Sequence, residues 1–110
     1  MYPQRGEVWW VAFDPSVGGE IQKTRPAIIL SNNAANSALN RVVVIPVSSQ
    51  VSKLYPSEVL VTLNGESRKA MADQIMTASK QRLKSKLGSL SRSDLTAVAR
   101  ALLFHLAIVR

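Results

Sequence analysis

Polar side chains near the predicted ends of several strands are the residues of this sequence best suited to chemistry. They are Glu20, Lys23, Arg25, Ser48, Ser49, Gln50, Asp73 and Gln74. The set has many hydrogen-bond donors but no histidine, which is the commonest general base. Such a set could still cleave RNA, because the 2′-hydroxyl is an internal nucleophile already positioned beside its phosphate. The protein would have to orient the sugar for in-line attack and stabilise a pentavalent phosphorane.

Arg25 is the natural candidate for stabilising that phosphorane. A guanidinium is always charged and makes bidentate contacts to phosphate oxygens. The neighbouring Pro26 restricts the backbone beside it. The alternative interpretation is a surface arginine in an ion pair with Glu20, and the sequence alone leaves both open.

Metal and cofactor chemistry have little support in the sequence. There is no cysteine, so disulfides and thiolate zinc sites are excluded. The single histidine, His105, lies on the predicted C-terminal helix, and the seven carboxylates are scattered without a pair at ligand spacing. No GxSxG, GxGxxG or Walker pattern occurs. We therefore expect no metal and no cofactor.

The charge balance favours a polyanionic partner. Fourteen Lys and Arg face seven Asp and Glu, which gives a formal net charge of +7, and the pI is about 10.4. A small domain with this charge attracts nucleic acid, although a basic protein with no nucleic-acid role is the alternative. Lys53, in a predicted loop, is a candidate contact to an RNA backbone.

With no signal-peptide pattern and no apolar run of membrane-spanning length, we expect a cytoplasmic protein that does not enter a membrane.

The elements that must position these residues are short strands followed by one helix, in a single domain of residues 1–110. The predicted strands span residues 6–13, 27–30, 41–50, 58–63, 68–74 and 87–90. Asn64-Gly65 is a strong hairpin signal, and Pro46 marks an edge or a bulge that would redirect Ser48 and Ser49. A polar loop covers residues 16–24, residues 32–40 form a loop with a helical turn, and a second such turn is expected at 80–83. The pattern predicts a mainly β (α+β) fold, a small antiparallel barrel.

The first strand and the last helix have distinctive apolar patterns. Residues 6–13 are apolar on both faces, so we expect a barrel core on one side and a second copy of the chain on the other. The thin core of so small a domain also favours a dimer. Residues 91–109 form the only long predicted helix, with Ser91 as N-cap and one apolar stripe that would pack on the barrel. That stripe comprises Leu95, Val98, Ala99, Leu102, Leu103 and Leu106.

Several of these segments together resemble the MazF/PemK toxin ribonucleases over nearly the whole chain, residues 5–109. They are RGEVWWVAFDPSVGGEIQKTRPAIILSN, VVVIPVSSQV, a Tyr-Pro pair, the DQI segment, and KSKLGSL before the terminal helix. The TRPAIILSN element and the strand-ending SSQ are the most specific of them. The resemblance implies a small SH3-like antiparallel β-barrel with a C-terminal α-helix, working as a homodimer.

The resemblance also implies an activity and its partners. The family cleaves single-stranded RNA, namely mRNA, at short specific sequences without a metal, and leaves 2′,3′-cyclic phosphate and 5′-hydroxyl ends. A cognate acidic, MazE-like antitoxin blocks the RNA groove. On this basis Arg25 matches the catalytic arginine, Ser48 the catalytic threonine and Glu20 the acidic residue of the first loop. The residues predicted to bind RNA are Glu20, Lys23, Ser49, Gln50, Lys53, Asp73 and Gln74.

The sequence also departs from the family pattern. Ser48 stands where many members have threonine, Gly19 where some have histidine, and Met71 and Met76 where some or many have arginine. A mechanism that uses Asp73 with those basic partners is therefore not predicted here.

Two other functions are alternatives to RNA cleavage. A gyrase poison of the CcdB type on the same barrel would need a Trp-Gly-Ile ending, whereas this chain ends Ala-Ile-Val-Arg. A non-catalytic nucleic-acid-binding barrel would show salt-sensitive binding without cleavage.

Overall fold

The computed structural model describes residues 2–14, 18–19 and 23–108. Within them are seven strands, two α-helices and two short 3₁₀ turns at residues 72–74 and 80–82. In chain order the strands and α-helices are β1 (Glu7–Ala12), β2 (Thr24–Ile29), α1 (Asn33–Ala38), β3 (Arg41–Ser48), β4 (Glu58–Leu63), β5 (Glu66–Met71), β6 (Met76–Ser79), β7 (Leu83–Ser89) and α2 (Arg92–His105).

The strands form one curled antiparallel sheet in the order β4-β5-β3-β2-β1-β7, and β6 adds to β3. Every paired strand is antiparallel. Helix α2 packs against β4 and the 3₁₀ turn at 72–74. The predicted mainly β fold, an antiparallel barrel with a C-terminal helix, is confirmed, with the sheet curled into a half-barrel.

Of the two positions predicted for Pro46, an edge or a bulge, the edge is wrong. Pro46 is fully buried in β3, a central strand, opposite Ala27 of β2. On the other side, β3 pairs with β6 through residues 41–44 and with β5 through residues 47–48. Pro46 lies where β3 changes partner, so a residue without an N–H is accommodated there without interrupting either ladder.

The Asn64-Gly65 hairpin is confirmed. Leu63 pairs with Glu66 across a two-residue turn, and Asn64 and Gly65 have φ of 51° and 81°. Two positive φ angles are what a type I′ turn requires, and asparagine and glycine adopt them most readily.

Several predicted boundaries were wrong. β2 begins at Thr24 and therefore includes Arg25, β5 ends at Met71 before the 3₁₀ turn, and β7 begins at Leu83. The four-residue β6 was missed, because its alternation of apolar Met76 and Ala78 with polar Thr77 and Ser79 is too short to indicate a strand from the sequence alone. α2 ends at His105 rather than at residue 109, and Ala107 beyond it has a left-handed φ of 57°.

Buried residues form two clusters on the two faces of the sheet. The first cluster, inside the curl, includes Val8, Ile28, Ile45 and Val98, with Leu95 and Leu102 of the helix stripe packed against it. The second, on the opposite face, includes the residues Val11, Phe13, Ala27, Ile29 and Val44. Val11 and Phe13 are 0% and 3% exposed within the single chain. Val11 and Phe13 are thus covered within the single chain, and the dimer expected from this strand stays a prediction.

No helix in residues 2–14, 18–19 and 23–108 is both long and apolar enough to cross a membrane.

Candidate functional site

A cleft of about 420 Å³ opens at one end of the half-barrel. Residues from six strands, the hairpin turn and the end of β3 line it. They are Trp10, Thr24, Arg25, Pro26, Val47, Ser49, Leu63, Asn64, Glu66, Arg68 and Leu87. A concave site of this volume, with an apolar lining and a few charged groups, is typical of ligand-binding sites.

The lining of the cleft combines an apolar part with two cations. Trp10 pairs with Pro26 across β1 and β2, and Val47 and Leu63 belong to the first buried cluster. The Trp10 side chain is only half-buried, so its ring offers a surface on which a base could stack. Arg25 from β2 and Arg68 from β5 lie on either side of β3, the strand between them.

Arg25 is half-buried and stands opposite Val11 of β1. On its other side, β2 pairs with β3 through Ala27 and Pro46. The paired stretch stops there, but the same register extended by two residues would set Arg25 opposite Ser48. The two residues assigned to catalysis therefore stand at the ends of neighbouring strands.

The two serines at the end of β3 have different environments. Ser48 is 9% exposed, and its Oγ accepts the backbone N–H of Gln50 at 3.1 Å. Ser49 is exposed and lines the cleft, whereas Ser48 is not among the lining residues within the described part of the chain. The structure thus brings Arg25 and Ser49 to the cleft and leaves Ser48 just behind its rim.

The remaining predicted residues do not line the cleft. Lys23 is exposed, has a positive φ of 66°, and donates its backbone N–H to Asp14 Oδ1 at 2.9 Å. Gln50 is exposed, and the Lys53 ammonium lies 4.7 Å from the centre of the Tyr55 ring. Glu20 lies outside the described residues.

Asp73 and Gln74 are in the 3₁₀ turn after β5, which packs on α2. Asp73 is exposed, and Gln74 Nε2 contacts Met71 Sδ at 3.9 Å. Neither lines the cleft, so their assignment to RNA binding gains no support from this geometry.

Sequence reasoning missed four cleft residues, Trp10, Asn64, Glu66 and Arg68. Trp10 was interpreted as part of a two-faced strand, and the polar residues after Asn64-Gly65 as an ordinary hairpin. The sequence did contain a signal, because alternate residues of a strand point to the same face of the sheet. Across the hairpin, Leu63 pairs with Glu66 and Val61 with Arg68. Since Leu63 and Val61 belong to the first buried cluster, Glu66 and Arg68 lie on the same, inner face.

A buried ion pair close to Lys53 was also missed. Lys69 Nζ contacts Glu58 Oε1 at 3.0 Å, and both side chains are less than a tenth exposed. Lys69 Nζ also donates to the Lys53 carbonyl at 3.1 Å, and Glu58 Oε1 accepts the Tyr55 N–H at 2.8 Å. The pair fixes the loop between β3 and β4 to β5.

Within the described ranges, no three His, Asp or Glu side chains are grouped closely enough to hold a metal ion. The cleft carboxylate, Glu66, is 3.1 Å from the Arg68 guanidinium. The two arginines and one carboxylate therefore give the cleft a positive balance, which suits a phosphate ester.

A second hollow, of about 250 Å³, holds a carboxylate with a shifted pKa. Burial raises the pKa of Glu7, but hydrogen bonds from the Gln4 N–H and the Trp9 indole, with the Lys86 ammonium at 3.1 Å, outweigh burial and lower it below its ordinary 4.5. Ionised Glu7 is therefore stabilised more in the folded than in the unfolded chain.

We expect this lowered pKa to make folding stability depend on pH. A depressed folded-state pKa contributes stability that is present above 4.5 and is lost as the pH falls through the folded value. Glu7→Gln should flatten the acid side of a plot of unfolding free energy against pH, measured by urea titration from pH 7 to 3. Glu66→Gln, whose side chain is 67% exposed, is the control. If unfolding free energy fell equally steeply with decreasing pH in wild type and Glu7→Gln, Glu7 would not be the source of this pH dependence.

Comparison with known proteins agrees with this architecture. A family model described as the PemK-like, MazF-like toxin of type II toxin-antitoxin systems matches residues 4–106. The chain is 36% identical to endoribonuclease MazF9 of Mycobacterium tuberculosis, over 94% of this chain and 95% of that protein.

Two solved structures from Deinococcus radiodurans have the same fold. The crystal structure of MazF superposes with a TM-score of 0.86 at 28% identity, covering 98% of this chain and 99% of the other. A MazE-MazF crystal structure gives 0.79 at 26% identity, covering 99% of each chain. The family match spans most of the sequence, and the chain therefore belongs to the PemK-like, MazF-like toxin family of type II toxin-antitoxin systems.

Proposed function

We propose that this protein is an endoribonuclease that binds single-stranded RNA in the cleft and cuts it at short specific sequences. Membership of the toxin family and the endoribonuclease name of its relative in Mycobacterium tuberculosis support RNA cleavage. The observation that carries the proposal is the cleft itself, where Arg25 lies beside the half-exposed Trp10 ring. A cation for the phosphate and an aromatic face for a base are what a single strand needs.

The proposed reaction uses the 2′-hydroxyl of the RNA as nucleophile. The 2′-oxygen bonds to phosphorus and the bond to the 5′-oxygen breaks, while one proton leaves the 2′-oxygen and one reaches the 5′-oxygen. The products are a 2′,3′-cyclic phosphate and a 5′-hydroxyl, and no metal is required. Arg25 stabilises the extra negative charge of the phosphorane, because a guanidinium stays positively charged in proteins.

Ser48 is proposed to orient the scissile phosphate. Its Oγ accepts the Gln50 N–H, but a hydroxyl that accepts a hydrogen bond still has its own proton to donate. The β2–β3 register, extended by two residues beyond the Ala27–Pro46 pair, would set it opposite Arg25. Ser49, which lines the cleft, is the competing hydroxyl.

Alanine variants should distinguish the two serines. We expect Ser48→Ala to reduce the single-turnover cleavage rate by roughly tenfold, the effect of about one neutral hydrogen bond. Ser48→Thr should remain active because it keeps the hydroxyl, and Ser49→Ala should stay within about twofold of wild type. If Ser49→Ala were the slower variant, the role would belong to the residue that lines the cleft.

The mechanism is tested with chelator and modified RNA. Cleavage should persist in excess EDTA, since the nucleophile belongs to the substrate. A single 2′-deoxy nucleotide at the cut site should abolish cleavage there and leave other sites unaffected, which provides an internal control. Loss of activity in EDTA with recovery in Mg²⁺ would contradict metal independence.

The partners proposed are RNA, an acidic antitoxin and a second copy of the chain, with the activity in the cytoplasm where mRNA is translated. The Deinococcus relative crystallised as a MazE-MazF complex, and a net charge of +7 favours a flexible anionic segment that orders on binding. RNA and this segment are expected to compete for the cleft.

A further inference from the structure

A charged pair stands on a face of the sheet that is otherwise apolar. Glu66 and Arg68 of β5 pair with Leu63 and Val61 of β4, which are 4% and 2% exposed. Their Nη2–Oε1 distance is 3.1 Å, and both side chains line the cleft. Two charges at inward-facing positions require an explanation beyond solubility.

Protection of a sheet edge would explain a charge at this place but not a pair of opposite charges. β5 pairs with β3 only through Ala70 and Lys69, so Glu66 and Arg68 lie beyond that ladder. One inward-pointing charge would be enough to prevent edge-to-edge association there. Stability does not explain the pair either. The Arg68 and Glu66 side chains are 27% and 67% exposed, and an ion pair in water contributes little to folding.

The pair is held in a fixed position. Arg68 Nη1 donates to the Ser67 carbonyl at 3.0 Å, so the guanidinium is held from two sides. The hairpin turn is itself tied to β7, because Asn64 Nδ2 donates to the Leu87 carbonyl at 3.2 Å. These contacts use two of the five N–H donors of arginine, and the other donors can face a ligand.

The pair shares the cleft with Arg25 and Trp10. Arg25 and Arg68 come from strands on either side of β3. Because their strands are two strand spacings apart, we expect the two guanidinium groups to contact different groups of a bound RNA strand. If Arg25 contacts the scissile phosphate, a base lying against Trp10 would present its edge to Glu66 and Arg68. In a single strand every edge of the base is available for hydrogen bonding.

We propose that Glu66 and Arg68 read the identity of one base of the bound RNA, and that this base is guanine. The inference rests on the proposed function for the presence of RNA in the cleft. Guanine has two adjoining acceptors, O6 and N7, that suit arginine, and adjoining N–H donors that suit a carboxylate. Guanine thereby satisfies a donor and an acceptor group held side by side.

The test exchanges the two charges. Glu66→Arg/Arg68→Glu keeps the net charge and the ion pair but inverts the positions of donor and acceptor. The 5′ ends of products from one long RNA are sequenced for wild type, for this double variant and for Arg68→Ala. Arg100→Ala on the exposed face of α2 is the control. A thermal melt shows that each variant folds.

We expect wild type to favour guanine at one fixed position near the cut. That preference should fall by about tenfold or more in the double variant and in Arg68→Ala, and stay unchanged in Arg100→Ala. An unchanged motif would overturn the proposal. The proposal would also be overturned if Arg68→Ala lowered the cleavage rate equally at all sites and reduced the slope of log affinity against log salt concentration by about one. That result is expected for a residue that contacts a phosphate.

A binding measurement separates this inference from the proposed activity. Single-stranded homopolymers of deoxyadenosine, deoxycytidine, deoxyuridine and deoxyinosine lack the 2′-hydroxyl. Inosine presents O6, N7 and N1–H as guanine does, without the 2-amino group, so it tests the contacts of Arg68 and one of the two N–H contacts proposed for Glu66. Wild type should bind the inosine polymer most tightly and the double variant should lose that rank. An unchanged order of affinities overturns base reading. Failure of wild type to cut any RNA would instead contradict the proposed nuclease activity. The ranking of affinities for the four homopolymers would still test whether Glu66 and Arg68 recognise the base.

Discussion

Replacing Arg25 with alanine should slow the chemical step of RNA cleavage by roughly 10² to 10³, the usual loss when one preorganised charge-stabilising donor is removed. The guanidinium lies in the cleft between the ends of β1 and β3. There we expect it to contact the phosphate oxygens as their negative charge increases. Arg25→Lys should recover only part of the rate. The lysine ammonium keeps the positive charge but cannot make the two parallel hydrogen bonds that a planar guanidinium makes to a phosphate.

Single-turnover cleavage at saturating enzyme is the measurement that isolates this step from binding. Arg41→Ala is the matched control, since it removes the same charge from the opposite end of β3, where Arg41 is exposed. It should weaken long-range attraction to RNA but leave the saturated rate unchanged. If Arg25→Ala cut as fast as wild type at saturation, Arg25 would be a binding residue.

The fold was largely predictable because its local signals agree with its tertiary structure. Asn64-Gly65 specifies a turn that few other dipeptides make, and Ser91 caps α2 by accepting the Asp94 N–H. β6 carries no such signal, since its pairing with β3 is decided by contacts distant in sequence. Val11 of β1 and the following Phe13 are buried as predicted, although residues of the same chain cover them.

The site was predictable in its residue types but less so in its geometry. Arg25 reaches the cleft as expected. The two neighbouring serines differ because consecutive residues at the end of a strand point in different directions. Ser49 faces the cleft and Ser48 bonds Gln50, a difference that composition cannot show. Glu66 and Arg68 were missed because they come from a different hairpin, and only the curl of the sheet brings that hairpin beside β2. The family match favours the toxin ribonuclease over the gyrase poison and the non-catalytic barrel.

Removing the Lys69 charge should destabilise the fold by about 3–5 kcal/mol, because it would leave Glu58 buried without a counter-ion. The Lys69 and Glu58 side chains are 9% and 7% exposed and 3.0 Å apart. Lys69→Met keeps most of the volume, so the loss reports the unpaired carboxylate and not a cavity. Urea unfolding at pH 7 measures it, and Lys86→Met is the control. Lys86 pairs with Glu7 at a similar 3.1 Å but is 47% exposed, so its loss should stay within about 1 kcal/mol.

The double variant Lys69→Met/Glu58→Gln decides the cause. Glutamine keeps an oxygen that can accept the Tyr55 N–H but carries no charge, so most of the stability lost in Lys69→Met should return. A double variant as unstable as the single one would show that the ammonium itself, through its bond to the Lys53 carbonyl, holds the structure together. In the single variant, the loop between β3 and β4 should also exchange its amide hydrogens faster than β1 does. It loses the contact that fixes it to β5, whereas β1 keeps both of its neighbouring strands.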